Sequence, residues 1–323
     1  MKPSGKSEVL VCVISAGLLA MVTACGSSTN SSTSTKSSAS SSSTTPSTSK
    51  VSYDPTLFNQ LPASIKASKE ISVEQDSVPP FSVIGANGTV TGIGASLFPY
   101  LDKILGVTFK SVPANGIASA DLGVTSGRAQ IAFGPDLDTR TDEADFNFVD
   151  YLNALQGFVY LQPHSITSLL SVCGKTVASI GGAAPVIAFA AQIAKDCTAA
   201  GKSPETMSYF SGAPQDVLAV EDGRAFAGLF SGYSAFYYQH TDPSKYGAWV
   251  VPNSDFPGII CGNLVGKNWG TLGAVYLAAM KILSQKGILQ SVFSEWGLAP
   301  KTGFLLNTIG YNDYKANGSL GSS

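Results

Sequence analysis

Imidazole chemistry is nearly absent from this sequence, since only His164 and His240 among its 323 residues carry the ring. His164 follows Pro163 in a predicted loop and His240 ends a predicted helix, so both read as surface residues rather than metal ligands or bases. No catalytic residue, metal site or cofactor is expected on that basis. The Gly92-Ile93-Gly94 and Gly181-Gly182 pairs fall short of a nucleotide fingerprint and read as turns. A formal net charge of −2 argues against a nucleic-acid partner. Thiols are the remaining reactive groups. Cys173 precedes a predicted strand and Cys197 ends the predicted helix after it, which returns the two ends to each other. A Cys173–Cys197 disulfide is therefore expected. Cys261, in the apolar run Gly258-Ile259-Ile260-Cys261, reads as a free core thiol.

The chain begins with Lys2 and Lys6, then an apolar stretch from Val9 to Ala24 that is short for a membrane span. Val22-Thr23-Ala24-Cys25 resembles a lipobox. Residues 1–25 thus read as a lipoprotein signal peptide, with Cys25 the lipidation site and first residue after cleavage. Residues 26–50 are almost pure Ser and Thr and read as a disordered tether, roughly 25–30 Å long on average. From there strand-like and helix-like segments alternate, the pattern of an α/β architecture. Glu70 to Glu74 predicts a strand, and Ala86-Asn87-Gly88-Thr89 a hairpin turn. Leu97, Leu101, Ile104 and Leu105 predict a helix that ends at Gly106. Pro99, tolerable in a first turn, sets its start near Ser96. A second round of strands and helices begins near Phe158, so two lobes are expected rather than one sheet.

Several short segments, in this order and spacing, resemble one known family. They are Leu61-Pro62-Ala63-Ser64-Ile65-Lys66, Pro79-Pro80-Phe81, Thr91-Gly92-Ile93-Gly94, Leu105-Gly106-Val107 and Ser126-Gly127-Arg128-Ala129-Gln130. Cys173-Gly174-Lys175-Thr176-Val177-Ala178, Asp222-Gly223-Arg224-Ala225 and Glu295-Trp296-Gly297-Leu298 follow in the second half. Together they resemble the amino-acid-type (third) family of extracellular solute-binding proteins of bacterial ABC importers, over roughly residues 61 to 298. The resemblance implies a type II periplasmic-binding-protein fold, two α/β lobes joined by two crossing strands. Lobe 1 would be 54–157 and 258–323, and lobe 2 would be 158–257. The implied function is capture of a small polar solute between the lobes by a monomer. Delivery to permease membrane subunits would follow, with the lipid anchor on the outer face of the cell membrane or in the periplasm.

The same resemblance marks the cleft. In the family an Arg meets the ligand carboxylate and an Asp meets its ammonium. Here the Arg position falls on Asp142, with Arg140 two residues earlier; either a loop shift brings Arg140 in or the charge is gone. The family Asp falls on Ser231, flanked by Phe230 and Tyr233, which are placed at the cleft. The family Gly-Thr is Gly182-Ala183, the aromatic before Pro-Phe is Val78, and the second family aromatic aligns near Ile117. Asp76 either touches ligand or caps the turn. Phe81, Pro135 and Leu137 complete the candidate contacts. A cleft so altered suits a ligand with at most one strong charge, polar, cationic or aromatic. The fold is also reused by exported dehydratases and sensors. An enzyme would need an acid or base in the cleft, and a fused receptor a further segment after residue 298, where only a short tail follows.

Overall fold

The computed structural model describes residues 48–181, 184–210, 213–298 and 303–314. The expected signal with Cys25, residues 26–47 of the expected tether, and Gly182 and Ala183 lie outside the described residues. Among the described residues, no helix is long and apolar enough to cross a membrane.

The first α-helix among the described residues is α1 (Pro55–Gln60), capped by Asp54, whose carboxylate accepts the Thr56 and Leu57 amides. Helix α2 (Ala63–Ser68) leads into strand β1 (Glu70–Gln75). Beyond β1 the chain turns through a cis Pro79-Pro80 bond into the hairpin β2 (Val83–Ile84) and β3 (Val90–Thr91). Helix α3 (Ile93–Leu105) follows, and it starts three residues before the expected Ser96. The Ile93 and Gly94 amides donate to the Pro80 and Phe81 carbonyls, so the Pro-Pro-Phe turn itself caps the helix. Pro99 then sits in the second turn. Interior proline costs about 3 kcal/mol, yet Ile93, Leu97, Leu101, Ile104 and Leu105 are all fully buried. At about 1.5–3 kcal/mol for each such side chain, burial wins.

Strand β4 (Thr108–Pro113), helix α4 (Ile117–Thr125), and strands β5 (Ile131–Leu137) and β6 (Phe146–Ala154) complete the first round. The second holds β7 (Gln156–Leu161), β8 (Thr176–Ile180), α5 (Ala184–Ala199), β9 (Thr206–Phe210), α6 (Ala213–Glu221), β10 (Ala227–Ser231), α7 (Gly232–Thr241) and β11 (Tyr246–Val250). The chain ends with β12 (Ile259–Gly266), α8 (Leu272–Gln285), α9 (Ile288–Glu295) and β13 (Leu305–Tyr311). The expected tail after residue 298 thus contains a strand, and it forms an edge of the first sheet.

Two sheets result. One has the order β13-β6-β12-β5-β1-β4 and the other β11-β7-β10-β8-β9. Pairing is parallel at β5-β1-β4 and β10-β8-β9 and antiparallel elsewhere in both. The chain passes between the sheets twice, at Leu155 between β6 and β7 and at residues 251–258 between β11 and β12. Gly157, just past the first crossing, cannot carry a side chain. A Cβ there would stand 2.5 Å from the Cα of Gly232 at the start of α7.

Each sheet has its own core. The first buries Phe133, Tyr151, Tyr276 and Phe293. The second buries Phe158, Phe189 and Leu229, with Trp249 stacked on Phe158 at 6.0 Å between centroids. Cys173 and Cys197 are disulfide-bonded across 24 residues, tying the end of α5 to the start of β8, and Cys261 is a free, buried thiol. Replacing both bonded cysteines with Ser should lower unfolding free energy by about 3 kcal/mol in the chain-entropy description. Urea unfolding under oxidising conditions reads this out.

Asp216, in the first turn of α6, is fully buried, and among the described residues neither carboxylate oxygen has a hydrogen-bond partner. Burial pushes its pKa up to about 7. The folded state therefore holds a proton that the unfolded chain releases near 3.8. Its stabilising contribution is complete below that value and is lost as pH rises through about 7. Asp216→Asn should therefore unfold less readily than the parent at pH 8, by on the order of 2–4 kcal/mol. At pH 4 the difference should vanish. Equal pH slopes for the two proteins would show that Asp216 does not carry this effect.

Candidate functional site

The parallel strands of both sheets end on one cavity of about 880 Å³. From the six-stranded sheet it receives Asp76 to Pro79 after β1, Pro113 to Ile117 between β4 and α4, and Pro135 to Leu137 at the end of β5. Ala154, Ile259 and Cys261 close that side. From the five-stranded sheet it receives Gln156, Ile180, Phe230 and Ser231, together with the first turns of α5, α6 and α7. The volume lies within the usual range for a small-molecule site.

The end of β5 is the most particular of these walls. β5 pairs with β1 only at Ile131 and Ala132. Against β12 its register breaks: Leu264 faces Ala132, while Gly262 already faces Asp136. Asn263 alone therefore spans Phe133, Gly134 and Pro135, a bulge that removes the need for an N–H at Pro135. Side chains satisfy the freed backbone. The Gly134 amide donates to Asn263 Oδ1 at 3.2 Å, and the Tyr151 hydroxyl donates to the Gly134 carbonyl at 3.0 Å. Asn263 Nδ2 in turn donates to the Tyr276 hydroxyl at 2.9 Å. All three side chains are fully buried, so this arrangement is rigid and directs Pro135, Asp136 and Leu137 at the cavity.

Asp136 has no counterpart in the sequence-based site. Its carboxyl is raised well above the usual range, first by burial and then by the negative charges of Asp121, Asp76 and Asp142. Asp76 is also raised by burial, offset in part by a hydrogen bond from its own backbone amide. Asp121 on α4, behind the wall, is pushed up to about 6 by burial, Asp142 and Asp76. Among the described residues no Lys, Arg or His lines the cavity. Gln156 sits at the first crossing, 7% exposed, with Oε1 lacking any partner among the described residues. Ser231 and Tyr233 share a hydrogen bond between their hydroxyls, and burial raises the Tyr233 phenol.

Of the sequence-predicted residues, the structure brings together Asp76, Val78, Pro135, Leu137, Phe230, Ser231 and Tyr233 around the cavity. Ile117 also lines it. Phe81 does not: it is fully buried and edge-packed on Tyr233 at 4.9 Å, a core residue that supports the wall from behind. Arg140 does not either. It is exposed, its guanidinium 5.6 Å from the Tyr314 ring. Asp142 starts a short 3₁₀ turn, where its carboxylate accepts the Thr139 hydroxyl at 2.6 Å. Its charge reaches Asp136, but its side chain is outside the cavity. The other nearby cation, Arg128, is held by Glu74 at 2.7 Å. Asp136 lies beyond the bulge of β5, and its only sequence signal is an acid one residue past Pro135.

No protein-family model matches the chain, and no curated protein matches it. Solved structures do. An ancestral cationic amino acid solute-binding protein, AncCDT-1, aligns at a TM-score of 0.59 and 20% identity, over 72% of this chain and 98% of that one. The probable amino-acid ABC transporter extracellular-binding protein YtmK of Bacillus subtilis aligns at 0.57 and 20% identity, over 71% and 97%. The periplasmic VFT2 domain of BvgS from Bordetella pertussis aligns at 0.58 and 17% identity, over 76% and 99%. The chain has the type II periplasmic-binding-protein fold. In this fold the cavity described above is the cleft between two lobes, and Leu155 and residues 251–258 are its two crossings.

In the type II cleft an α-amino acid would need a cation for its carboxylate, and among the described lining residues no side chain supplies one. Arg140→Ala should therefore change the affinity for a cleft-bound solute by less than about twofold, the size of a screened surface-charge effect. Calorimetry on parent and variant with the same solute decides it; loss of binding would place Arg140 in the cleft.

Proposed function

We propose that this chain is a solute-binding lipoprotein of the amino-acid-type family that captures a small polar solute between its lobes for an ABC permease. The single observation that carries this reading is the cavity walled by both sheets, with both crossings at its floor, in the fold of amino-acid-binding proteins. Lobe 1 is taken as 54–157 and 258–323, and lobe 2 as 158–257. Cys25 carries the lipid, residues 26–50 tether the body, and a monomer presents the closed lobes to membrane subunits outside the cytoplasm. The Cys173–Cys197 disulfide supports such an oxidising location.

Two observations support other uses of the cleft. The BvgS domain is a likeness at equal strength, which favours a sensor. AncCDT-1 is described as a precursor of cyclohexadienyl dehydratase, and Asp136 is a cavity carboxyl with a raised pKa, the kind of group an enzyme uses as an acid. The absence of histidine from the cleft therefore does not by itself dispose of acid–base chemistry. Binding without turnover separates these readings: solute identified by thermal-shift screening of the mature protein should be recovered unchanged after prolonged incubation. It should also contract the protein in small-angle scattering. In cells, Cys25→Ser should release the protein from membranes and abolish uptake of that solute. Turnover would establish an enzyme, and a variant still processed and membrane-bound would remove the lipid anchor.

A further inference from the structure

We infer that the cleft selects a small organic cation that carries no carboxylate, its charged end at Asp136 and Asp76 and its apolar body against Ile84, Ile117, Ile180 and Phe230. This rests on the reading of the cavity as the solute site and adds the class of solute.

The cavity offers acceptors where a ligand needs donors. Asp136 and Asp76 are carboxyls on the lobe 1 wall, and Gln156 Oε1 is a partnerless acceptor at the floor, on a side chain more than nine-tenths buried. An alkylammonium or guanidinium supplies several N–H donors and the missing positive charge together. Asp121 and Asp142 add negative charge from behind the same wall. A ligand carboxylate would enter this field with no Lys, Arg or His among the described lining residues to meet it. The first turns of α4, α5, α6 and α7 do face the cavity, but each helix N-terminus supplies about half a charge at most. With the Ser231 hydroxyl beside them they suit a hydroxyl or carbonyl end. The rest of the wall is apolar: Val78, Ile84, Ile117, Ile180, Val186 and Phe230. A bound cation also offsets the burial and the neighbouring negative charges that raise the Asp136 carboxyl.

The position of Asp136 makes it the determinant. It follows the bulge at Gly134, on backbone fixed by Asn263 and Tyr151, so its main chain is held at the cavity wall. Asp76 is on a turn whose carbonyl accepts the Val78 amide and the Ser82 hydroxyl.

The test uses matched pairs that differ only in the carboxylate: arginine with agmatine, lysine with cadaverine, phenylalanine with phenethylamine, and tryptophan with tryptamine. Calorimetry on the mature protein should find at least one amine bound about tenfold or more tighter than its parent amino acid. Asp136→Asn should weaken that amine about 30-fold or more, and Asp136→Glu, which keeps the charge, should restore part of the loss. Circular dichroism checks that both variants fold. An amino acid that binds more tightly than its amine, an amine whose affinity survives Asp136→Asn, or a panel in which no amine binds would each overturn the inference. The solute-binding reading is scored separately: if an acid, amino acid or neutral metabolite binds instead, that reading stands and only the cationic class falls. If the metabolite screen is also silent, both fall.

Discussion

At Gly134 the strand β5 stops being an ordinary member of its sheet. Its amide and carbonyl are held by the buried side chains of Asn263 and Tyr151 instead of a neighbouring strand. A buried backbone pair without partners would cost several kcal/mol, so these two side chains are what permits the bulge. Pro135 fits there because no ladder hydrogen bond is asked of it. Everything that distinguishes the cavity follows from this departure. Asp136 lines the cavity where pairing with β12 resumes at Gly262, and the lobe 1 wall becomes acidic there.

Clustering Asp76, Asp121 and Asp136 with no compensating cation is unfavourable for the free protein. Burial raises all three carboxyls and neighbouring acids raise Asp121 and Asp136 further, so folding gains nothing from their charge. A sequence shaped only for stability would place a neutral residue on a rigid wall at position 136. Local conflict of this kind is concentrated where function requires it. The conflict is of one sign, which is informative: zwitterion sites carry charges of both signs, and the described lining here carries only acids. The neutral Ser231 and the displaced Arg140 belong to the same pattern.

Much of the architecture was legible because it is written in short-range chemistry. The alternation of strand and helix segments, the stop at Gly106, and the pairing of Cys173 with Cys197 all depend on nearby residues. The start of α3 was not, because carbonyls of a turn more than ten residues earlier cap it and its apolar face outweighs Pro99. The strand β13 was hidden for a similar reason, since Leu305–Tyr311 shows no strong alternation and is held by pairing with β6, about 150 residues away. Val78, Phe230, Ser231 and Tyr233, placed by the family resemblance, line the cavity. Phe81 was misread because a motif position says nothing about which side of a turn faces the cavity. Asp136 and Gln156 were invisible because a bulge and a crossing, both long-range features, aim them.

The contacts across the cleft show what a solute must add. Phe81 packs edge-on against Tyr233 from α7, and the Ser234 hydroxyl donates to the Pro79 carbonyl at 2.7 Å. Those contacts join the lobes near the crossings without any ligand. Gly157 allows α7 to lie directly against the residue just past the first crossing. On the proposed reading, closure of the remaining opening brings Ile180 and Phe230 toward Ile84, Ile117 and Asp136. Empty, that movement would desolvate Asp136 and Gln156 Oε1 further with nothing to pair them, which favours the open form. A ligand shifts the balance only by the difference between its affinities for the two forms. A cation that pairs Asp136 while its apolar body fills the lobe 2 side gains both terms on closure. A solute that satisfies only one wall would bind without closing the lobes, and such a complex presents no new surface to a membrane partner.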